Sequence, residues 1–564
     1  MAGLAAALAL APSFDRVLLL EADTPQDCWQ GSAADVAQAP GQPRRGVSQY
    51  RFMHALLARG ATELEALCPG YLAQLQAAGA NMTDYYQDLR FGTPAGPFAR
   101  VTQSSQPLPI VQASRHLLEH TLRRFVQQHP KVTVMYGAAA AGLVFEGGDS
   151  SRRVVGVQLA GGGEVRGDLV VAAAGRRVKL PGWLQAGGWP AAPVTSVSAN
   201  TAYTTWFLRM PPEVEASLPY SGVYHSPSPP ECLAGAYLQR DEAGLWMVCG
   251  ISFDRQAPQP SLEAALSWMK QAVYSDEVHG LVSQGTPVSP VQMLGALNNK
   301  WSHYEQVPPP PGLVVLGDAY CSLNPTYAQG ITVAAIQARL LGQLLAQRIA
   351  AAEHAHVAAV AAAADASASS SSSSSAASLG TDNSSASSAA AAGRGEVAAR
   401  RAAVAAAVSG LNGEFYAAAA GVVGAAWGFA AGRDMLYPFA QLQGESRTLQ
   451  WRLMQGYVSA IFKVAAVDSE TAEAVGRAMN MTAEPSVLFR PSIAAKGVVE
   501  HSRLHLPQVP GFTEHGECQH LLILLAIGTG VQSFASSIAH DDQPRASLEV
   551  CNSSGRLPGQ QHLP

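Results

Sequence analysis

The chain has 564 residues, of which 48% are hydrophobic and 14% charged, and its formal net charge is -5. This composition is typical of a globular protein with a large core and two or three domains. The acidic balance and the lack of a lysine- or arginine-rich run argue against nucleic-acid binding. Seven scattered cysteines, with no C-x-x-C pair, predict reduced thiols in an intracellular protein without a metal site.

The opening of the chain has the pattern of a helix, then a buried strand, then an acid. Residues 2–11 are small and apolar, and the apolar run 17–20 ends at Glu21. Such a run suits a parallel strand that is buried on both faces. The opening segment lacks the basic flank and cleavage pattern of a signal peptide, so we predict a helix there.

Helical and strand patterns alternate through the middle of the chain. The spacing of leucines predicts helix over 45–80, and an amphipathic pattern predicts another over 114–128. Alternating strands separated by glycine turns are predicted over 132–175. Strand patterns with one helix near 262–273 predict an open sheet in 195–300.

Toward the C-terminus a strong strand pattern at 312–318 precedes a long predicted helix, 330–351. The following alanine- and serine-rich segment buries too little apolar surface to offset its ordering entropy, and we predict a disordered insertion there. Helical pattern resumes over 397–467. The apolar stretch 520–539 is interrupted by polar residues, so we do not expect membrane association.

The segment 313–345, LVVLGDAYCSLNPTYAQGITVAAIQARLLGQLL, has the strongest functional pattern. Its strand ends at Gly317 and is followed by Asp318, and ligands of open α/β sheets bind outside the carboxyl ends of strands. Asp318 could accept hydrogen bonds from sugar hydroxyls. Gly330 opens a helix whose free N–H groups favour an anionic or electron-rich ligand. An ordinary crossover, with Asp318 as a cap, is the alternative.

The opening pattern matches part of a dinucleotide-binding fold, which needs a strand, G-x-G-x-x-G, a helix, a second strand and an acid. Gly3, the small-residue helix, the apolar strand and Glu21 reproduce everything after the loop. The first strand and first two glycines are not in the sequence, which predicts that Met1 is an internal methionine within that loop. An arbitrary alanine-rich helix and strand is the alternative.

Together these motifs resemble the FAD-dependent monooxygenases related to para-hydroxybenzoate hydroxylase and, more distantly, squalene epoxidase. Weaker similarity extends to further segments, so that the resemblance covers 1–345 and 410–500. These segments are 44–60, 113–124, 168–175 and 424–438. The resemblance implies an α/β protein with a Rossmann-like FAD-binding fold, a mixed-sheet substrate domain and a C-terminal helical cap.

The predicted domain organisation follows from these patterns. It comprises an FAD-binding domain (1–190 and 301–350, without its first strand and glycine loop), a substrate domain (191–300), a disordered insertion (351–409), a helical cap (410–515) and a tail (516–564).

The resemblance also implies roles for individual residues around FAD. Gly3 belongs to the glycine loop, Glu21 would bind the adenosine ribose, and Asp318 would hold the ribitol chain. Arg45, with Arg51 as a further candidate, would lie near the pyrophosphate or the flavin edge, and Arg115 would neutralise phosphate. Pro325 would lie near the isoalloxazine, and Gly330 with Ile331 would present N–H groups to the flavin pyrimidine. The segment 313–345 also contains Ala328, at a position where the family often has glycine.

For each arginine a solvated surface role is the alternative, and we predict that His54 packs or caps rather than acts as a base. No catalytic side chain is assigned, because the cofactor carries the chemistry.

The activity implied by the resemblance is monooxygenation. NAD(P)H would reduce FAD, dioxygen would add at the flavin, and one oxygen atom would pass to an apolar or aromatic small molecule. One alternative is a flavin-dependent reductase of isoprenoid double bonds. The other is a degenerate or fragmentary fold without activity, which the absent loop favours. We expect an intracellular location, cytoplasmic or organellar. The missing start of the glycine loop would also remove any transit peptide.

Overall fold

The computed structural model describes residues 1–25, 44, 47, 49–102, 106–148, 152–254, 261–295, 297–370 and 385–505. Over these residues the protein has an α/β fold, with parallel strand pairs and a larger mixed sheet. The helices are α1 Ala2–Leu10, α2 Ala58–Leu67, α3 Tyr71–Ala77, α4 Arg115–Gln128, α5 Leu180–Ala186, α6 Pro212–Ser217, α7 Leu262–Ala272, α8 Glu277–Val282, α9 Gly330–Ser370, α10 Ser385–Ser409, α11 Leu411–Asp434, α12 Leu449–Val464, α13 Ser469–Met479 and α14 Pro491–His505.

The strands are β1 Val17–Glu21, β2 Ala55–Leu56, β3 Asn81–Asp84, β4 Leu89–Thr93, β5 Gly96–Pro97, β6 Pro109–Gln112, β7 Val132–Tyr136, β8 Ala140–Glu146, β9 Arg153–Leu159, β10 Glu164–Arg166, β11 Val170–Ala172, β12 Val194–Ser198, β13 Ala202–Arg209, β14 Gly222–His225, β15 Ala234–Arg240, β16 Trp246–Ser252, β17 Thr286–Pro287, β18 Gln292–Leu294, β19 Asn299–Ser302, β20 Leu313–Val315, β21 Cys321–Ser322 and β22 Gln441–Gln443.

Two parallel strand pairs lie beneath α1. Strand β1 pairs with β7, and β11 pairs with β20. A Cβ atom built on Gly3 of α1 would lie 3.6 Å from Ala173 Cβ and 3.7 Å from Leu19 Cδ1, so the helix contacts both pairs. Among the described strands no other strand pairs with β1 or β11. One edge of each strand is therefore left without a ladder partner.

The small residues of α1 allow it to pack closely on the long helix α9. A Cβ atom on Gly342 of α9 would lie 2.6 Å from the carbonyl oxygen of Ala9, which is closer than real Cβ contacts. Alanine and leucine also have the highest helix propensities, so the same residues favour both the helix and its packing. The largest hydrophobic core joins α1, α4, β20, α9 and α11.

The largest sheet has the order β17-β13-β16-β15-β14-β4-β5, with β18 also paired to β13. It is mixed, because β14 runs parallel to β4 but antiparallel to β15, which in turn runs antiparallel to β16. One hydrophobic core of this region contains Trp206 and Trp246 of the sheet and Met269 of α7. This is the open sheet that the sequence predicts for 195–300.

Three further sheets complete the strand layers. They have the orders β21-β19-β12-β22, β10-β9-β8 and β2-β6-β3. Strand β22 comes from the C-terminal helical part of the chain and pairs antiparallel with β12, which ties the two parts together.

The predicted helix over 45–80 is wrong in its first part. The structure has a strand at Ala55–Leu56, which pairs antiparallel with β6, and helix only from Ala58 to Leu67 and from Tyr71 to Ala77. Pro69 and Gly70 separate the two helices, and Gly70 has a φ of +93°, which favours glycine. The residues with helical leucine spacing therefore form helix except at Ala55–Leu56, where pairing with β6 produces a strand.

The alanine- and serine-rich segment also differs from its prediction. Helix α9 continues to Ser370, and α10 covers Ser385–Ser409, where disorder was expected over 351–409. Alanine has the highest helix propensity, so such a segment can be helical while burying little apolar surface. Near its end α10 does bury Ala403, Val404 and Ala407. Residues 371–384 and the predicted tail, 516–564, lie outside the described residues.

The helical pattern over 397–467 is interrupted between α11 and α12, where Pro438 and Gly444 surround strand β22. Helix α11 is long and apolar enough to cross a membrane, yet 61% of its most apolar stretch is buried inside the protein. Such burial is what the core helix of a folded domain also shows.

Candidate functional site

A cavity of about 1380 Å³, here called the first cavity, extends from the space between β1 and β11 to the start of α9. Seven of the eight predicted cofactor-binding residues line it. These are Gly3, Glu21, Arg115, Asp318, Pro325, Gly330 and Ile331. The eighth, Arg45, lies outside the described residues. The structure thus brings the seven residues together, while their roles in binding stay a prediction.

Asp318 follows β20 at the rim of the first cavity. The preceding Gly317 has a φ of +64° and donates its N–H to Gln337 Oε1 at 2.7 Å. A Cβ atom there would lie 2.7 Å from Ala2 Cβ, so glycine is needed where the strand passes under α1. The side chain of Asp318 is 35% exposed, and its nearest cation is Arg176, with Nε 3.9 Å from Oδ2. Asp318 therefore keeps acceptor capacity for a ligand hydroxyl.

The loop before α9 presents a helix start to the same cavity. Asn324 Oδ1 accepts a hydrogen bond from the Thr326 N–H at 3.2 Å, which fixes the turn. Ala328 has a φ of +55°, in the left-handed region that favours glycine. A Cβ atom on Gly330 would lie 3.8 Å from Asp318 Oδ1. The free N–H groups of the first turn of α9 thus lie beside Asp318.

Gly3 itself is not required by packing. A Cβ atom at that position would make only ordinary van der Waals contacts, at 3.6 and 3.7 Å.

A buried cluster of charges lies beside the end of β1. Arg44 donates from Nη2 to Glu21 Oε2 at 2.6 Å and from Nε to Asp23 Oδ2 at 2.9 Å, and it also contacts Glu119. Arg123 pairs with Glu119 at 2.8 Å and with Glu21 at 3.4 Å. These pairs hold the strand β1, the helix α4 and Arg44 together.

Two side chains at this cluster, Glu21 and Arg115, have lowered pKa values. Burial opposes ionisation of Glu21, but Arg44, the Asp23 N–H and Arg123 together hold its pKa below the usual value. Arg115 pairs with Glu119 at 3.1 Å. Burial lowers the pKa of Arg115 to about 10, against the opposing effect of Asp318, so the side chain stays charged at neutral pH.

The first cavity suits an anionic dinucleotide in both chemistry and size. Two guanidinium nitrogens at it, Arg123 Nη1 and Arg176 Nε, are buried and have no hydrogen-bond acceptor among the described residues. A pyrophosphate offers such acceptors. The volume exceeds the roughly 300–1000 Å³ of ordinary small-molecule pockets, as a large cofactor requires. The residues present therefore fit FAD.

Arg51 and His54 were also considered in the sequence, and the structure places only His54 at the first cavity. Arg51 donates from Nη1 to Gln292 Oε1 at 3.1 Å, on the larger sheet. His54 lines the first cavity and donates from Nδ1 to the Phe52 carbonyl at 2.7 Å. Burial lowers the pKa of His54 to about 3, so the ring is neutral.

Sequence reasoning missed Arg44, Glu119 and Arg123. Arg44 adjoins the predicted Arg45, and nothing in the local pattern distinguishes the two. Arg115, Glu119 and Arg123 recur at i,i+4 spacing on α4, and this spacing could have been read as one charged helix face.

A second cavity, of about 140 Å³, adjoins the first. The two share a wall that consists of Phe52, Met53, Ala55, Tyr203, Pro325 and Ala328. Most of the second cavity is apolar or aromatic. Its rings are Phe52, Tyr85, Phe91, Tyr203, Tyr224, Tyr237, Phe253, Tyr327, Phe429, Tyr437 and Phe462.

Buried hydrogen bonds to Asp434 hold the shared wall. The Asp434 carboxylate accepts from Asn299 Nδ2 at 2.7 Å and from Asn324 Nδ2 at 2.9 Å. The Tyr327 hydroxyl donates to its other oxygen at 2.9 Å. Burial raises the pKa of Asp434 to about 6, although these hydrogen bonds and Arg433 oppose the shift.

Sequence reasoning gave no role to Arg433 or Asp434. They are the only charged residues between 415 and 444, in a segment otherwise rich in alanine, glycine and aromatic residues. A charged pair inside so apolar a helix was the signal that could have found them.

No protein-family model matches the chain. Among curated proteins, the chain is similar to Protein Rv3254 of Mycobacterium tuberculosis, with 29% identity over 362 residues, which cover 62% of this chain and 72% of that protein.

Three solved structures show a weaker likeness, and each covers 61% of this chain. PqsL of Pseudomonas aeruginosa has 16% identity, 83% of its chain covered and a TM-score of 0.43. For 2-methyl-3-hydroxypyridine-5-carboxylic acid oxygenase these values are 16%, 79% and 0.44. For the flavin-dependent brominase Bmp2 they are 14%, 76% and 0.44. At such TM-scores the likeness assigns nothing to the chain.

Proposed function

We propose that this chain is a dinucleotide-binding oxidoreductase. More specifically, we propose an FAD-dependent monooxygenase that uses NAD(P)H and dioxygen to hydroxylate or epoxidise an apolar or aromatic small molecule. The observation that carries the proposal is the shared wall. A large charged cavity lined by Glu21, Asp318 and Gly330 lies directly against a small aromatic cavity.

The lining residues supply complementary contacts for FAD. Asp318 would accept hydrogen bonds from the ribitol chain, and Arg115 would neutralise phosphate charge. Among the described residues Glu21 Oε1 accepts one hydrogen bond, from the Asp23 N–H at 3.2 Å, so it retains acceptor capacity for a ribose hydroxyl. The N–H groups at the start of α9 would stabilise negative charge on the flavin pyrimidine.

When bound, FAD supplies the redox chemistry. The protein supplies orientation and a dry site. Phe52, Tyr203 and Pro325 belong to both cavities, so a molecule in the second cavity would lie against the contents of the first. The aromatic lining would exclude water from that contact, which limits side reactions. His54, neutral and bonded to Phe52, contributes no charge to the wall.

An absorbance titration of the purified full chain with FAD tests the proposal. We expect flavin bands near about 375 and 450 nm that stay with the protein after gel filtration. Asp318→Ala removes an ionised acceptor, and we expect FAD affinity to fall about 10- to 100-fold.

Asp276→Ala is the matched control, because Asp276 precedes α8 and its side chain makes no capping hydrogen bond. A colourless protein that stays colourless in excess FAD contradicts the proposal and favours a fold without activity.

The same samples separate monooxygenation from reduction of a double bond. A monooxygenase consumes dioxygen and NAD(P)H together. Oxidation of NAD(P)H that needs an isoprenoid acceptor and proceeds without oxygen uptake would instead identify a reductase.

A further inference from the structure

The second cavity has the size of a single ring. Its volume is about 140 Å³, and an apolar protein cavity of roughly 150 Å³ holds benzene. Tyr224 and Tyr237 lie at one side of it with their ring centroids 5.0 Å apart. Phe429 of α11 and Phe462 of α12 face it from the helical part, with centroids 6.3 Å apart. Such a lining suits a compact apolar ring.

One charged side chain interrupts this lining. Among the described residues of the second cavity, Arg433 is the only one that carries a charge. Its residue is 5% exposed. It lies one turn beyond Phe429 on α11, so both side chains occupy the same face of the helix.

The direct contacts of Arg433 are with a hydroxyl and an aromatic ring. Nη1 donates to the Ser459 hydroxyl at 2.9 Å, and the guanidinium carbon lies 5.2 Å from the centre of the Phe462 ring. Within the described parts of the chain no carboxylate forms an ion pair with it. The adjacent Asp434 carboxylate accepts hydrogen bonds from Asn299, Asn324 and Tyr327 instead.

Burial of a cation is strongly unfavourable because the cation loses hydration, and the attraction of Asp434 and Glu231 offsets only part of that loss without an ion pair. One hydroxyl and one ring compensate for only part of that loss. A guanidinium also presents a rigid fork of donors that matches a carboxylate. An anionic group in the cavity would therefore give this guanidinium a direct ion-pair partner.

We propose that the second cavity binds a single-ring apolar ligand with one anionic group, and that Arg433 pairs with this group. The proposal rests on the proposed function in that the ligand is the substrate that lies against the flavin. Arg433 then selects acids over neutral molecules of the same shape and fixes which part of the ring faces the shared wall.

Isothermal titration of the full chain with benzoate and benzamide tests the proposal, because the two probes match in shape and differ in charge. We expect benzoate to bind wild-type protein about 10- to 100-fold more tightly. Arg433→Met should abolish this preference, and Arg433→Lys should restore part of it, since lysine keeps the charge but loses the fork.

Arg90→Met is the matched control. Arg90 adjoins the cavity residue Phe91 on β4, but pairs with Glu277 at 2.7 Å and does not line the cavity. This variant should keep the wild-type preference. Thermal unfolding of each variant shows whether it is folded. If Arg433→Met does not fold, the relative binding of benzoate and benzamide to Arg433→Lys decides the result.

The proposal is overturned if benzoate and benzamide bind equally well, if Arg433→Met keeps the preference, or if benzoate does not bind at millimolar concentration. A fall in FAD affinity in Arg433→Met with unchanged probe preference also overturns it, because Arg433 would then serve the cofactor. FAD titration of the same samples keeps the two proposals apart. A chain that prefers benzoate but does not bind FAD retains the ligand site and loses the proposed monooxygenase function.

Discussion

The two cavities differ in how they treat charge. In the first cavity Arg44, Arg115 and Arg123 form ion pairs with Glu21 and Glu119. In the second cavity Arg433 forms no ion pair among the described residues, and Asp434 and Glu231 attract it without direct contact. The ion pairs hold the first cluster together within the protein, whereas Arg433 can still form an ion pair with a ligand.

The largest expected effect concerns the balance within the first cavity. Glu119→Gln leaves the buried guanidinium groups of Arg44, Arg115 and Arg123 without a common partner. Breaking a buried pair from one side is strongly destabilising, so we expect the free energy of unfolding to fall by about 3–5 kcal/mol. Urea denaturation of the FAD-free chain measures it.

The control for this change is Glu473→Gln. Glu473 pairs with Arg477 at 2.7 Å on the partly exposed helix α13, where such a pair contributes only about 0.3–0.5 kcal/mol. Equal effects of the two substitutions would show that the first cavity does not depend on its internal charge balance.

A smaller effect is expected at the shared wall, as a dependence on pH. The pKa of Asp434 is about 6, above its usual 3.8. The folded state therefore binds the proton more tightly than the unfolded state, and the resulting stability is lost as the pH rises through about 6. Between about pH 5 and pH 7.5, wild-type protein should lose about 1.4 kcal/mol relative to Asp434→Asn.

Unfolding curves of both proteins at the two pH values check this prediction. Asp468→Asn serves as the control. Burial opposes ionisation of Asp468, yet Thr471 and Lys496 hold its pKa below the usual value. Its stabilisation is complete above pH 5, so this variant should show no difference over the same interval. A flat result for Asp434→Asn as well would mean that its carboxylate stays ionised in the wall.

The smallest effect is expected for the residue that belongs to both cavities. Tyr203→Phe removes the hydrogen bond between the Tyr203 and Thr326 hydroxyls, at 2.7 Å. We expect a loss of about 1 kcal/mol in unfolding free energy, with weaker binding of both FAD and benzoate.

Tyr224→Phe sharpens the comparison, because Tyr224 lines the second cavity alone and donates to Gln239 at 2.7 Å. It should weaken benzoate binding and leave FAD binding unchanged. If Tyr203→Phe gave the same pattern as Tyr224→Phe, the wall would not couple the two cavities.

Local sequence was sufficient where a residue's position follows from its own element. Glu21 and Asp318 each follow an apolar strand, and Gly330 starts the helix after a turn, so pattern alone placed all three at one edge of a parallel layer. The long helix α9 and the open sheet of 195–300 were predicted in the same way.

Local sequence was insufficient where the answer depends on distant partners. The role of Arg44 depends on Glu21, Asp23 and Glu119, which meet only in the folded chain. The short strand β2 forms because β6 is available as a partner, against the helical spacing of its neighbours. In the alanine-rich segment the reverse held, since intrinsic helix propensity favours helix where the composition had predicted disorder.

Strands β1 and β11 each have one edge without a ladder partner among the described strands, so each strand has backbone N–H and C=O groups that no neighbouring strand pairs. Val17 and Glu21 bond toward β7, and Val170 and Ala172 bond toward β20. In a parallel ladder the intervening residues direct their N–H and C=O groups the other way. Leu18, Leu20 and Val171 therefore offer backbone donors and acceptors to the first cavity.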